Sequence, residues 1–166
     1  MRPPLFLVVR DIAVVALAVL AGLASRQAQD AGSVLTWPAA IAAGLLIPFA
    51  GFLVHEWGHL LGAIASKARV EYPRTIWAIF LFRFDVVRSS RGQFLAMSNG
   101  GFIASVLLVV LLLSLLSVHY IGDIIALALT GLGVLATFVL ELPVAWKVWH
   151  GAPLPTGAAF VSDRRD

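Results

Sequence analysis

Residues 37–66 read WPAAIAAGLLIPFAGFLVHEWGHLLGAIAS, thirty positions with one acidic side chain and no basic one. Crossing the hydrocarbon core of a bilayer takes a helix of about 20 apolar residues, and this run exceeds that length. Trp37 and Pro38 suit its start: tryptophan favours the membrane interface, and the first helical turn tolerates proline. Pro48 falls inside the run, removes one backbone hydrogen bond, and should bend or loosen the turn ahead of His55-Glu56-Trp57-Gly58-His59.

Three more runs are long and apolar enough to span, about 4–23, 93–118 and 121–148. With 60% hydrophobic and 13% charged residues among 166, the composition is that of an all-α polytopic membrane protein with about four transmembrane helices. The first run is read as an anchor, not a secretory signal, because Arg10-Asp11 interrupts it and no small-residue cleavage site follows. Residues 1–150 form one membrane domain, and the Gly-, Pro- and Ala-rich residues 151–166 read as a flexible cytoplasmic tail.

Charge is distributed unevenly. Lys67, Arg69, Arg74, Arg83, Arg88 and Arg91 lie between the second and third runs, whereas Arg26 is alone between the first and second. The excess of basic residues on cytoplasmic loops places that loop inside, together with both termini, which carry Arg2 and Arg10 at one end and Arg164 and Arg165 at the other. The net charge of +3 is therefore a matter of membrane orientation; no aromatic-basic motif accompanies it, and nucleic acid is not an expected partner. The chain has no cysteine, which excludes disulfides and thiolate metal sites.

Between the second and third helices, Pro73 to Asp85 holds the apolar stretch Ile76-Trp77-Ala78-Ile79-Phe80-Leu81-Phe82. It is too short to span and rich in β-branched and aromatic residues, so one or two short strands in an interfacial or re-entrant hairpin are expected. Gly58 and Gly62, spaced G-x-x-x-G, suit close helix packing. Asn99-Gly100-Gly101 on the third helix serves the same purpose, or turns a backbone group toward a substrate.

His55-Glu56-Trp57-Gly58-His59 fits the pattern H-E-x-x-H. On a helix, positions i and i+4 share a face, so both imidazoles can reach one zinc ion. Zinc lowers the pKa of bound water toward neutrality, and Glu56 is placed to take its proton as the water attacks a peptide carbonyl. A histidine and glutamate cluster within a membrane helix costs several kcal/mol unless paired, and its default reading is functional. A histidine-rich di-iron site cannot be assembled, since only His119 and His150 remain.

The order of features is H-E-W-G-H late in a membrane helix, then a β-like stretch, then Arg91-Gly92-Gln93-Phe94-Leu95-Ala96-Met97-Ser98-Asn99-Gly100-Gly101 opening the next helix. It resembles the site-2 protease family of intramembrane zinc metallopeptidases over roughly Gly51 to Pro143. The family's G-P-x-x-N-like motif corresponds to Gly100-Gly101-Phe102-Ile103-Ala104, without the proline or the asparagine. The family draws its third zinc ligand from an aspartate in L-D-G on the following core helix; this chain has no L-D-G and offers Leu140-Glu141-Leu142-Pro143 and Trp149-His150-Gly151 instead.

Depth discriminates between these two. At about 1.5 Å per residue, His59 lies about 12 Å in from Lys67 and Glu141 about 9 Å in from Lys147. His150 lies beyond Lys147 and reaches the site only if Pro143 breaks the helix; Asp123 belongs to the opposite membrane face. Glu141 is the expected third ligand and His150 the alternative.

The resemblance implies a zinc metalloendopeptidase that cleaves a transmembrane or membrane-adjacent segment of another membrane protein, alone or as a homo- or hetero-oligomer. An edge strand over Ile76, Trp77, Ala78, Ile79 and Phe80 would hold the unwound substrate, with Asn99 and Gly100 beside it. The competing expectation is a non-catalytic pseudoprotease or a subunit of a larger membrane complex. Size and simplicity point to a bacterial inner membrane.

Overall fold

A computed structural model describes residues 3–157 and 160–162. It contains four membrane-length helices among those residues: α1 (Leu5–Asp30), α2 (Thr36–Ala65), α3 (Arg91–Leu115) and α4 (Ile121–Trp149). Leucine, valine and isoleucine side chains cover the outer faces of α1, α3 and α4, as Val9, Leu20, Ile103, Leu107, Leu132 and Val139 illustrate, all exposed where lipid would lie. The protein is an all-α polytopic membrane protein.

The small residues of α2 place it at the centre, packed against each of the other three helices. A Cβ built on Gly58 would lie 2.6 Å from Gly100 O and closer still to Ala104, and one on Gly62 would strike Ala96 O. Only glycine permits this approach of α2 to α3, so the two backbones nearly touch at the level of the histidines. Pro48 and Pro143 both lie inside uninterrupted helices. The chain therefore does not fold back at Pro143.

The end of α1 and the start of α3 differ from expectation, each for its own reason. The first helix was expected to end near Leu23 but runs to Asp30, because its last turns bind the start of α4. Arg26 pairs with Asp123 (Nη2–Oδ2 2.6 Å), and Gln29 donates to His119 O and accepts from Ile121 N. At the start of α3, Ser90 accepts from Gln93 N while the Gln93 side chain accepts from Ser90 N, a capping box that starts the helix at Arg91 instead of Gln93.

The β-structure lies elsewhere than expected. Ile76 to Phe82 forms turns and bends; the strands flank it as β1 (Val70–Glu71) and β2 (Arg83–Asp85), paired antiparallel with Val70 opposite Phe84. Arg10 of α1 holds the intervening loop, its Nη1 donating to Ile76 O (2.9 Å) and Ala78 O (2.8 Å), which takes those carbonyls out of any ladder. A third strand, β3 (Val161–Ser162), adds parallel to β2, so the expected flexible tail is partly ordered. Residues 152–156 have no regular structure, and Arg2, Arg164 and Arg165 lie outside the described residues.

Candidate metal centre

Helical spacing brings His55 and His59 onto the face of α2 that α3 covers, and both are buried. Their ring centroids are 4.3 Å apart in an edge-to-face arrangement, and their Nε2 atoms converge to 2.9 Å. α4 supplies the third group. Glu141 Oε2 is 3.2 Å from His59 Nε2, and Glu141 Oε1 is 3.6 Å from His55 Nε2.

α3 determines how the rings present themselves. His59 Nδ1 lies 2.9 Å from Met97 O, and His55 Nδ1 lies 3.1 Å from Gly101 O and 2.9 Å from Ser105 Oγ. A carbonyl can only accept, so each Nδ1 carries the hydrogen and each Nε2 keeps its lone pair. Two lone pairs and a carboxylate then face one another across a few ångströms of buried space, an arrangement that a shared positive charge stabilises.

The donor set fits a metal. Two imidazole nitrogens and one carboxylate, the imidazoles oriented by outer hydrogen bonds and all three lying within 4.8 Å of one another, form a donor set that could hold a metal ion. Ligands about 2.0–2.2 Å from a tetrahedral ion lie about 3.3–3.6 Å apart, close to the spacings from Glu141 to the histidines; the two Nε2 atoms, 2.9 Å apart, would separate by a few tenths of an ångström around an ion. Gly101 is part of the construction, because a Cβ there would run into the His59 ring.

Glu56 is buried and lines a cavity of about 260 Å³ with His59, Glu141, Phe80, Phe82, Phe94, Met97, Ser98 and Phe160. Its Oε2 accepts from Leu81 N at 3.2 Å, so the loop after β1 reaches down to the glutamate. Trp57, between the two functional residues, turns the other way and donates to Asp11 of α1 (2.8 Å), itself paired with Arg10 at 2.7 Å.

Of the residues expected at the site, His55, Glu56, His59 and Glu141 are brought together. His150 caps α4 in an exposed position with its Nδ1 against Trp146 O, away from the cluster, because α4 stays helical through Pro143. Asp123 is at the opposite end, held by Arg26. Among the residues expected to bind substrate, Phe80 lines the cavity. Trp77, Ala78 and Ile79 border a second, surface hollow with Tyr72 and Arg74, which Phe80 also lines; Ile76 is exposed outside it, and Trp77 is 87% exposed. Asn99 is exposed on α3, its neighbour Ser98 lining the cavity instead, and Gly100 is spent on the contact with Gly58. Ser105, Met97, Leu81 and Phe160 were not anticipated: three act through backbone atoms or distant pairings, and only Ser105, a polar residue in an apolar helix, left a trace in the sequence.

Scans against protein-family models, the curated proteins and the solved structures find no match.

Proposed function

We propose that this protein is an intramembrane zinc metalloprotease that cleaves a transmembrane or membrane-adjacent segment of another membrane protein. The observation that carries the reading is the approach of Glu141 to both histidine Nε2 atoms, beside a cavity among the membrane-length helices that Glu56, His59 and Glu141 line. His55, His59 and Glu141 would hold the ion. Zinc, which suits two imidazoles and a carboxylate, would supply Lewis acidity toward a peptide carbonyl and water.

The remaining steps belong to the chain. Glu56, not engaged by the other three, takes a proton from the attacking water as its oxygen bonds to the peptide carbon. It returns that proton to the amide nitrogen as the C–N bond breaks, leaving a carboxyl group and an amine. Leu81 N anchors the glutamate during both transfers. Met97 O, Gly101 O and Ser105 fix the imidazoles so that neither histidine turns its lone pair away. The basic loop between α2 and α3 faces the cytoplasm of a bacterial inner membrane in this reading, so cleavage occurs near the cytoplasmic end of the bundle.

The test is elemental analysis of the detergent-purified protein combined with a cleavage assay on a co-reconstituted single-span reporter. One zinc per chain, lost in His59→Ala and Glu141→Ala but kept in His150→Ala, supports the site. Glu56→Gln should keep the zinc and lose cleavage. Zinc without any Glu56-dependent cleavage would assign the protein to the non-catalytic membrane subunits, and absence of zinc after metal resupply would refute the site itself.

A further inference from the structure

Phe160 lines the cavity, and the strand that follows it pairs with β2. Phe84 N donates to Phe160 O at 2.9 Å and Val86 N donates to Ser162 O at 3.1 Å, the spacing of a strand added to the free edge of β2. With β3 in place Phe84 is fully buried and Asp85 nearly so, and the amides of Phe84 and Val86 find their acceptors in it. Phe160, one residue before β3, lines the same cavity as Glu56, His59 and Glu141. β3 spans two residues, and residues 152–156 that lead to it from α4 have no regular structure; the segment is held by these two hydrogen bonds, by the burial of Val161 and Ser162, and by Leu154 and Phe160 packing on the core.

The edge and the cavity together are built for an extended peptide. A strand seated on β2 where β3 now lies places one side chain in the cavity that Glu56, His59 and Glu141 also line. A helical peptide cannot use this edge, since its amides are already paired within the helix. We propose that Phe160–Ser162 is an internal stand-in for substrate: the chain's own C-terminal segment fills a groove for an unwound apolar peptide with an aromatic or large aliphatic residue, and closes the site until displaced. The inference rests on the proteolytic reading for the meaning of the groove, and not for its existence.

The absence of cysteine makes the test direct. Ser98 is buried in the same cavity, so Ser98→Cys in the full chain is a reporter of its closure to a small maleimide. Phe160→Ala and Phe160→Asp, each added to that reporter, should raise the labelling rate about tenfold or more. The aspartate should give the larger effect, because a carboxylate is expelled from an apolar cavity that already holds two. A synthetic peptide with the sequence of residues 156–166, added to the Phe160→Asp chain, should restore slow labelling, and the same peptide with alanine at the phenylalanine should not.

Equal labelling rates in all three chains would overturn the proposal, as would faster labelling that the peptide fails to reverse. The proteolytic reading is scored separately by Glu56-dependent cleavage of the single-span reporter. Cleavage that rises in Phe160→Ala supports both inferences. Peptide-reversible labelling without cleavage in any variant supports the groove and refutes the protease.

Discussion

Glu141 Oε2 lies 3.2 Å from His59 Nε2, joining the last third of α4 to the motif helix α2. The pair is geometrically independent of the H-E-x-x-H spacing, since it depends on two helices being packed at a common depth. Shortening the side chain by one methylene in Glu141→Asp should withdraw the carboxylate from both histidines. Metal affinity, measured by competition with a fluorescent chelator, should fall at least tenfold, and Glu141→Ala should leave well under one ion per chain. Unchanged affinity in both variants would remove Glu141 from the ligand set.

The position of Gly101 yields a prediction with a built-in control. A methyl group at Gly101 meets the His59 ring, whereas a Cβ at Gly131 or Gly133 meets nothing within 4 Å. Gly101→Ala should destabilise by about 1–3 kcal/mol, as overpacking does, and lower zinc occupancy because the ring must turn. Gly133→Ala should be neutral or stabilise by up to about 1 kcal/mol, the usual difference between the two residues in a helix. Thermal unfolding in detergent, followed beside zinc content, separates the two cases.

Ser105 and Gly101 O share His55 Nδ1, at 2.9 and 3.1 Å. Removing the hydroxyl in Ser105→Ala leaves the carbonyl in place, so the tautomer survives. The loss in metal affinity should be about tenfold, the low end of the range for outer-shell partners. A change of a hundredfold or more would mean that the hydroxyl, not the carbonyl, orients the ring.

Much of the site was legible because its main determinants are local. The i, i+4 spacing of His55 and His59 holds on any helix, and an apolar run of thirty residues has few alternatives to one. Glu141 could be placed because two membrane helices of similar pitch share a common depth scale. What escaped was non-local. Ile76 to Phe82 has strand-forming residues, yet Arg10, far away in sequence, takes up the carbonyls of Ile76 and Ala78, and pairing passes to the flanks, Val70 with Phe84 and Glu71 with Arg83. β3 exists only because β2 offers an edge to it, and nothing in the composition of residues 151–166 announces that. The Arg26–Asp123 pair likewise joins two residues that each looked like an isolated loop charge.

Arg10 gives a prediction about the loop that reaches Glu56. Its guanidinium is the one described side-chain group donating to Ile76 O and Ala78 O, and it is anchored by Asp11, which Trp57 also holds. In Arg10→Gln the loop should open more often, and hydrogen exchange of the Leu81 amide, now protected by the Glu56 carboxylate, should quicken about tenfold. Amides in the middle of α3 should exchange as before. Equal acceleration throughout the protein would mean that Arg10 supports global stability and has no particular hold on the loop.

At the far end of the bundle, Asp123 is fully buried and held by Arg26 Nη2 at 2.6 Å and by Ser117 N at 2.8 Å. Arg26→Leu strips the carboxylate of its charged partner and leaves one backbone donor. The expected cost is about 3 kcal/mol, since a buried charge that loses its partner is far more expensive than the pair is valuable. Replacing both residues with leucine removes the stranded charge and should recover a good part of the loss. Because the pair sits at the opposite face from His59 and Glu141, the metal content of every folded variant should equal that of the unaltered chain. A double variant no more stable than Arg26→Leu alone would show that the pair has a structural role beyond neutralising Asp123.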